Sequence, residues 1–168
     1  MTKHRFFTFL ICILISGSGF TQQHPTDITG IWKVVSVQTI QANGSVTTTI
    51  PAESQVIFTK NHYSLCWTSH HTRLENWSMP DSIKLARMNQ SIINAGTYEI
   101  RDSVLTTYAS FAMNPTFVNG KATFTCKLVN DKLLLSGIDV LSTENISNPL
   151  YANGAHIVNT LIKISDIQ

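Results

Sequence analysis

Ile31-Trp32-Lys33-Val34-Val35-Ser36-Val37-Gln38 is the stretch that decides the fold. It is dominated by β-branched and aromatic residues, contains neither Gly nor Pro, and runs on to Asn43-Gly44. That dipeptide tolerates positive φ at both positions and is a strong hairpin turn. A strand followed by a tight turn commits this part of the chain to antiparallel pairing.

The same grammar repeats outward from it. Val46–Ile50 is the return, closed by Pro51. Further strands are expected at Gln55–Lys60, Tyr63–Thr68, Gly96–Arg101, Val104–Phe111, Thr116–Val118, Lys121–Leu128, Leu133–Val140 and Ile157–Ile164. Asn61-His62, Asp102-Ser103, Asn119-Gly120 and Asn130-Asp131 separate neighbours so closely that consecutive strands must pair antiparallel. Such a series in one short chain predicts an all-β, up-and-down antiparallel barrel; a two-sheet sandwich would need longer crossovers than most of these. One segment departs from the pattern. Between Ser69 and Ile93 alternation is lost, and Leu85, Met88 and Ile92 fall at helical spacing, with Pro80-Asp81 as a start and Asn94-Ala95-Gly96 as a stop. The spacing predicts one helix over 81–93, inserted near a barrel opening that it plugs or covers.

Composition narrows the function. The chain has 168 residues, which suits a single domain, and its 43% apolar content is enough for a core. Twelve basic against ten acidic residues give a net charge of only +2, which argues against nucleic acid as a partner. Lys3-His4-Arg5, an apolar run from Phe6 to Ile15 and the small residues Ser16–Gly19 have the order of an export signal, too short for a membrane span. The expected organisation is therefore a leader over 1–21 and a barrel domain over 22–168, exported to a periplasmic or extracellular space, with no integral span in the mature chain. Loss of the leader removes Lys3 and Arg5 and leaves the domain neutral.

Alternation assigns faces. Trp32, Val34 and Ser36 form one inward set. Val56 with Phe58 form another, as do Tyr63, Leu65 and Trp67; Tyr98 and Ile100; Phe124, Cys126 and Leu128; and Ile162 with Ile164. Cys126 then faces in and Cys66 out, which argues against a disulfide between them. An eight-stranded barrel holds either packed side chains or one small ligand. Ser36, Phe58, Tyr63 and Trp67 are expected to line the interior, together with Tyr98, Tyr108 and Phe124. Trp77 and Met79, apolar residues in the loop before the helix, are the expected gate. No metal or cofactor is implied: His70 and His71 are adjacent and point opposite ways, and no His-x-x-x-His or Cys-x-x-Cys spacing occurs. No catalytic constellation is legible either; for an enzyme, Tyr98, Tyr108 and His156 are the residues to test.

Gly30-Ile31-Trp32-Lys33-Val34-Val35-Ser36, Gly96-Thr97-Tyr98-Glu99-Ile100 and Leu133-Leu134-Leu135-Ser136-Gly137, in that order, resemble the bacterial lipocalin-like domains, over roughly residues 28–164. The resemblance implies an up-and-down barrel that binds a small hydrophobic or amphipathic molecule. The alternatives are an enzyme of isomerase or cyclase type using the same cavity, or a filled barrel serving as a structural or interaction module. Many lipocalins bring an Arg from the last strand onto the opening Trp; here that strand offers only Lys163.

Overall fold

The computed structural model describes residues 27–164. The expected leader over 1–21 lies outside the described residues. The elements run β1 (Gly30–Ile40), β2 (Val46–Thr49), β3 (Glu53–Phe58), β4 (His62–Thr68), α1 (Asp81–Asn89), β5 (Ser91–Arg101), β6 (Val104–Ala112), β7 (Lys121–Val129), β8 (Lys132–Leu141), α2 (Pro149–Ala152) and β9 (His156–Lys163). All pairings are antiparallel, and β9 returns to β1, so β1 and β3 through β9 close an eight-stranded barrel.

Closure happens on β1. Its first residues pair with β3, Trp32 opposite Val56, while β9 pairs along the other edge from Trp32–Lys163 to Ile40–His156. The upper part of β1 pairs instead with the short β2, from Val37–Thr49 to Ile40–Val46. Where the β1–β3 ladder stops, the Ser54 hydroxyl donates to the Val34 carbonyl at 3.0 Å and carries the seam one step further. Asp102-Ser103 and Asn130-Asp131 all have positive φ, the backbone of two-residue hairpin turns, as their residue types predict.

Trp32 is 2% exposed and donates its indole N–H to the Ile28 carbonyl at 2.8 Å. That bond folds the preceding segment under the barrel, and Ile28, 1% exposed, closes this end. Leu105, Leu133, Leu161, Val56 and Cys126 complete the packed half. Fully burying each Leu is worth about 1.5–3 kcal/mol, so this end is the main apolar reservoir of the fold. The Lys163 ammonium lies 5.7 Å from the Trp32 ring centroid, so the one cation that the last strand offers does lie over the opening Trp. Gly30 has φ +133°, and a Cβ there would stand 2.7 Å from Lys163 Cε. The Gly-x-Trp sequence is thus explained locally: Gly30 leaves room for the Lys163 stem, and Trp32 receives its head.

Several sequence expectations are corrected. The helix ends at Asn89, and residues 91–95 already belong to β5, so Ile92 is a strand residue. Thr116–Val118 is not a strand; Pro115–Phe117 forms a 3-10 turn whose first N–H groups are met by the Asn114 side chain. A β-bulge between Val34 and Ser36 shifts the phase of β1: Val37 turns inward and Ser36, paired with Thr160, joins the outward row. On β9 the inward row is Ile157, Asn159, Leu161 and Lys163, so Ile162 is on the opposite face to the one expected. Leu128 keeps the inward phase but sits at the barrel end, 47% exposed.

Gly30→Ala should lower stability by about 1–3 kcal/mol, because it puts a side chain at positive φ and into Lys163. Lys163→Met, which keeps the stem, should cost only about 0.5–1 kcal/mol. Chemical denaturation of the two variants measures both, and equal losses would contradict this account of the closure. Burial pushes the Cys126 thiol up to about 11, while Cys66 lies on the outward row of β4; both are free. In a Cys12→Ser chain, a thiol reagent should therefore react with Cys66 in the native protein and with Cys126 only after denaturation.

Candidate functional site

Inward residues grade from sealed to accessible along the barrel axis. At the Trp32 end Trp32, Val34, Val56, Leu105, Leu133 and Leu161 are buried, and only Leu128, Ile100 and Lys163, at the strand ends, reach solvent. At the opposite end the same inward rows reach Trp67, Asn94, Val140, Ile157 and Asn159, all half-buried, and Ile92, 41% exposed. Here a whole tier of inward side chains is accessible, with no buried layer above it, so this end is the wider opening, the mouth. The long connections over 69–90, 113–120 and 142–155 all emerge here.

Two features shape the mouth. Gly96, Ala109, Ala112 and Ala122 make a wall of small buried residues across β5, β6 and β7. Large rings fill from elsewhere, among them Tyr151. Asn148 caps α2 through the Leu150 N–H, and Pro149 starts it. This short helix sends the Tyr151 side chain onto Gly137, where an added Cβ would stand 2.9 Å from the ring. Gly137 is therefore the slot for Tyr151, and burial pushes the Tyr151 hydroxyl up to about 12. Tyr151 is a residue that reading the sequence missed. The signal was present as Asn148-Pro149 and Asn153-Gly154, a start and a stop around one helical turn.

α1 does not plug the mouth. It buries no residue, and Leu85 and Met88 are 61% and 50% exposed. A helix of nine residues is marginal on its own in water. It runs directly into β5, the Ser69 N–H bonds the Gln90 carbonyl at its end, and Glu53 on the outward row of β3 tethers it from the side: one carboxylate oxygen accepts from Arg87 Nη2 at 2.7 Å and the other meets His71 Nδ1 at 3.0 Å. The Arg87 guanidinium holds the Glu53 carboxyl below its ordinary value. Glu53 thus joins α1 and the loop before it to the barrel rim.

The sequence-predicted residues separate into three groups. Phe58, Tyr63, Trp67, Tyr98 and Phe124 are inward and share one cluster, with Phe58 and Tyr98 in edge-to-face contact at 5.2 Å. Ser36 and Tyr108 are on the outer wall. Tyr108 is 42% exposed and its hydroxyl donates to Glu99 Oε1 at 3.0 Å, which also raises its pKa. The error for Tyr108 was one of phase: Leu105, Thr107 and Ala109 are the buried row of β6. Trp77 is fully exposed and Met79 half-buried in the loop before α1. Tyr98, Tyr108 and His156 do not come together. Tyr98 donates to the Thr59 carbonyl at 2.6 Å near the sealed end, and His156 is on the outward row at the rim. Among the described residues no three of His, Cys, Asp or Glu stand close enough to share a metal ion.

Tyr63 is 5% exposed, and its hydroxyl has no accessible surface; its polar neighbour is the Thr107 side chain. Burial pushes this hydroxyl up to about 12, and a side-chain hydrogen bond with Thr107 acts in the opposite sense. Thr107 donates its own hydroxyl to the Ala122 carbonyl at 3.3 Å. A separate open depression of about 400 Å³ lies outside the sealed end, lined by Asp27, Ile28, Thr29, Lys60, Tyr98, Glu99 and Ile100. The Asp27 carboxylate there is occupied by the Thr29 N–H and hydroxyl, which lower its pKa.

No family model, curated protein or solved structure matches the chain.

Glu53→Gln should release α1 without unfolding the barrel. Trypsin should then cut at Lys84 and Arg87 faster than in the parent, with unchanged strand circular dichroism; equal cleavage rates would contradict the role given to Glu53.

Proposed function

We propose that the chain is an exported, lipocalin-like binding protein that takes a small apolar or amphipathic molecule into the open half of its barrel. The observation that carries this reading is the grading of the inward rows, sealed around Trp32 and accessible at Trp67, Ile92 and Ile157. Concave apolar sites with a few polar groups are the usual form of small-molecule pockets. Trp67, Ile92, Val140 and Ile157 supply apolar wall; Asn94 and Asn159 supply polar groups at the same level. The driving force is burial of the ligand's apolar surface, about 25 cal/mol per Å². The filled lower half limits the ligand to the upper half. Tyr151, seated on Gly137, is the side chain that sets the remaining width.

Export rests on the order of basic, apolar and small residues over 1–21. No helix among the described residues is long and apolar enough to cross a membrane. The order of the Gly-x-Trp, Gly-Thr-Tyr and Leu-x-Leu-Ser segments on a closed up-and-down barrel supports the lipocalin-like reading.

The test is a titration with the neutral fluorophore N-phenyl-1-naphthylamine. Saturable binding is expected in the parent and in Tyr108→Ala, whose substitution is on the outer wall. Asn94→Trp, which fills the mouth from β5, should weaken binding about tenfold or more while keeping the β-sheet spectrum. Absence of saturable binding, or an Asn94→Trp protein that binds as the parent does, would overturn the proposal.

A further inference from the structure

The chain contains three Asn-Gly pairs, Asn43-Gly44, Asn119-Gly120 and Asn153-Gly154. Each holds the groups for one reaction. A glycine amide nitrogen can attack the side-chain carbonyl carbon of the preceding Asn, because no Cβ obstructs the approach. By sequence the three are equal; their surroundings differ.

Asn119 and Asn153 are held in place. Asn119 has φ +59°, and its N–H donates to the Ala109 carbonyl at 2.7 Å. Gly120 is buried; its carbonyl accepts from the Ala109 N–H at 3.0 Å and its N–H donates to the Phe117 carbonyl at 3.0 Å. Asn153 caps the end of α2, donating its N–H to the Pro149 carbonyl at 3.2 Å, while the Gly154 N–H bonds the Tyr151 carbonyl at 2.9 Å. Ala155, the next residue, is buried. To cyclise, either Asn must rotate about its own ψ, which takes apart bonds anchored in β6 or α2.

Asn43 stands in different surroundings. Residues 41–48 are all exposed, and an added Cβ at Gly44 would meet nothing within 4 Å. Neither the main-chain N–H nor the carbonyl of Asn43 makes a hydrogen bond among the described residues. Two bonds hold the turn: the Gly44 N–H donates to the Gln41 carbonyl at 2.8 Å, and the Ser45 N–H donates to Asn43 Oδ1 at 2.9 Å. Water replaces both at little cost in an exposed turn, so local opening is frequent. The Ser45 bond also draws electron density from Asn43 Cγ and so favours attack on it.

We propose that Asn43 is a site of spontaneous deamidation and isomerisation, with water as the only co-reactant. Hydroxide takes the Gly44 amide proton, and the nitrogen bonds to Asn43 Cγ. The Cγ–Nδ2 bond breaks, and ammonia leaves with a proton from water. Water then adds to one carbonyl of the resulting succinimide and opens it, leaving an aspartyl or isoaspartyl residue at position 43. Either product adds one negative charge to the turn between β1 and β2. The isoaspartyl form also lengthens the main chain there by one atom. The ladders that close the barrel at Trp32 are untouched.

The test incubates the full chain at about pH 9, native and in guanidinium chloride, and follows the three sites by mass spectrometry. They fall in three different tryptic peptides. In denaturant the three should react within about threefold of one another. In the native chain Asn43 should react about tenfold or more faster than Asn119 or Asn153. Equal native rates at the three sites, or an Asn43 as strongly protected by folding as the other two, would overturn the proposal. In native Asn43→Gln, whose longer side chain closes the ring far more slowly, ammonia release should fall about tenfold; release at the parent rate would overturn it as well.

Discussion

Trp32 is the residue at which the sheet becomes a barrel. It is paired with Val56 on one side and with Lys163 on the other, so the two free edges of an eight-stranded meander meet across its backbone. Its side chain secures the same joint in three directions. The indole N–H holds the Ile28 carbonyl, the ring receives the Lys163 ammonium, and the ring body packs among Val56, Leu133 and Leu161. A sheet left open here would expose two edges to other chains, and closure removes both. Gly30 is part of this arrangement, because the Lys163 stem passes through the space a side chain would take.

Everything above this joint follows from how the interior is filled. Around Trp32 large aliphatic side chains arrive from β1, β3, β6, β8 and β9 and leave no access to solvent. Higher up, β5 to β7 present Gly and Ala, and on β8 the Tyr151 ring from α2 sits on Gly137. Packing to native density then depends on a few large residues rather than many medium ones. Tyr151 is carried by a short helix outside the sheet. The proposed binding function uses this asymmetry: one half supplies stability and the other supplies room.

Much of this was legible in the sequence. Turn chemistry located nearly every hairpin, since Asp102-Ser103 and Asn130-Asp131 adopt the positive φ their residue types favour. Alternation gave the correct inward rows for β3, β4 and β7; the register shift at Thr123/Phe124 puts its extra residue, Ile138, on β8 and leaves the phase of β7 intact. It failed on β1 beyond Val34, because one bulge reverses every later face and nothing in Val35-Ser36 announces it. Tyr108 was misplaced by chemistry: an aromatic residue was read as interior, while Leu105, Thr107 and Ala109 held the inward phase. The role of α1 was misread because an apolar stripe predicts burial only if a partner surface is within reach. Instead, an ion pair with Glu53 tethers it from the side, and the pairing of Arg87 with a residue 34 positions earlier has no sequence signature.

The central claim is that the barrel has a sealed half and a receptive half, and methyl-resolved NMR tests it most directly. With Ile and Leu methyl groups labelled, a titration with a neutral apolar probe should move Ile92, Ile157 and Leu65 and leave Ile28, Leu133 and Leu161 in place. Shifts centred on Ile28 and Leu161, on the outward-facing Ile93 and Ile138, or nowhere at all would contradict the account.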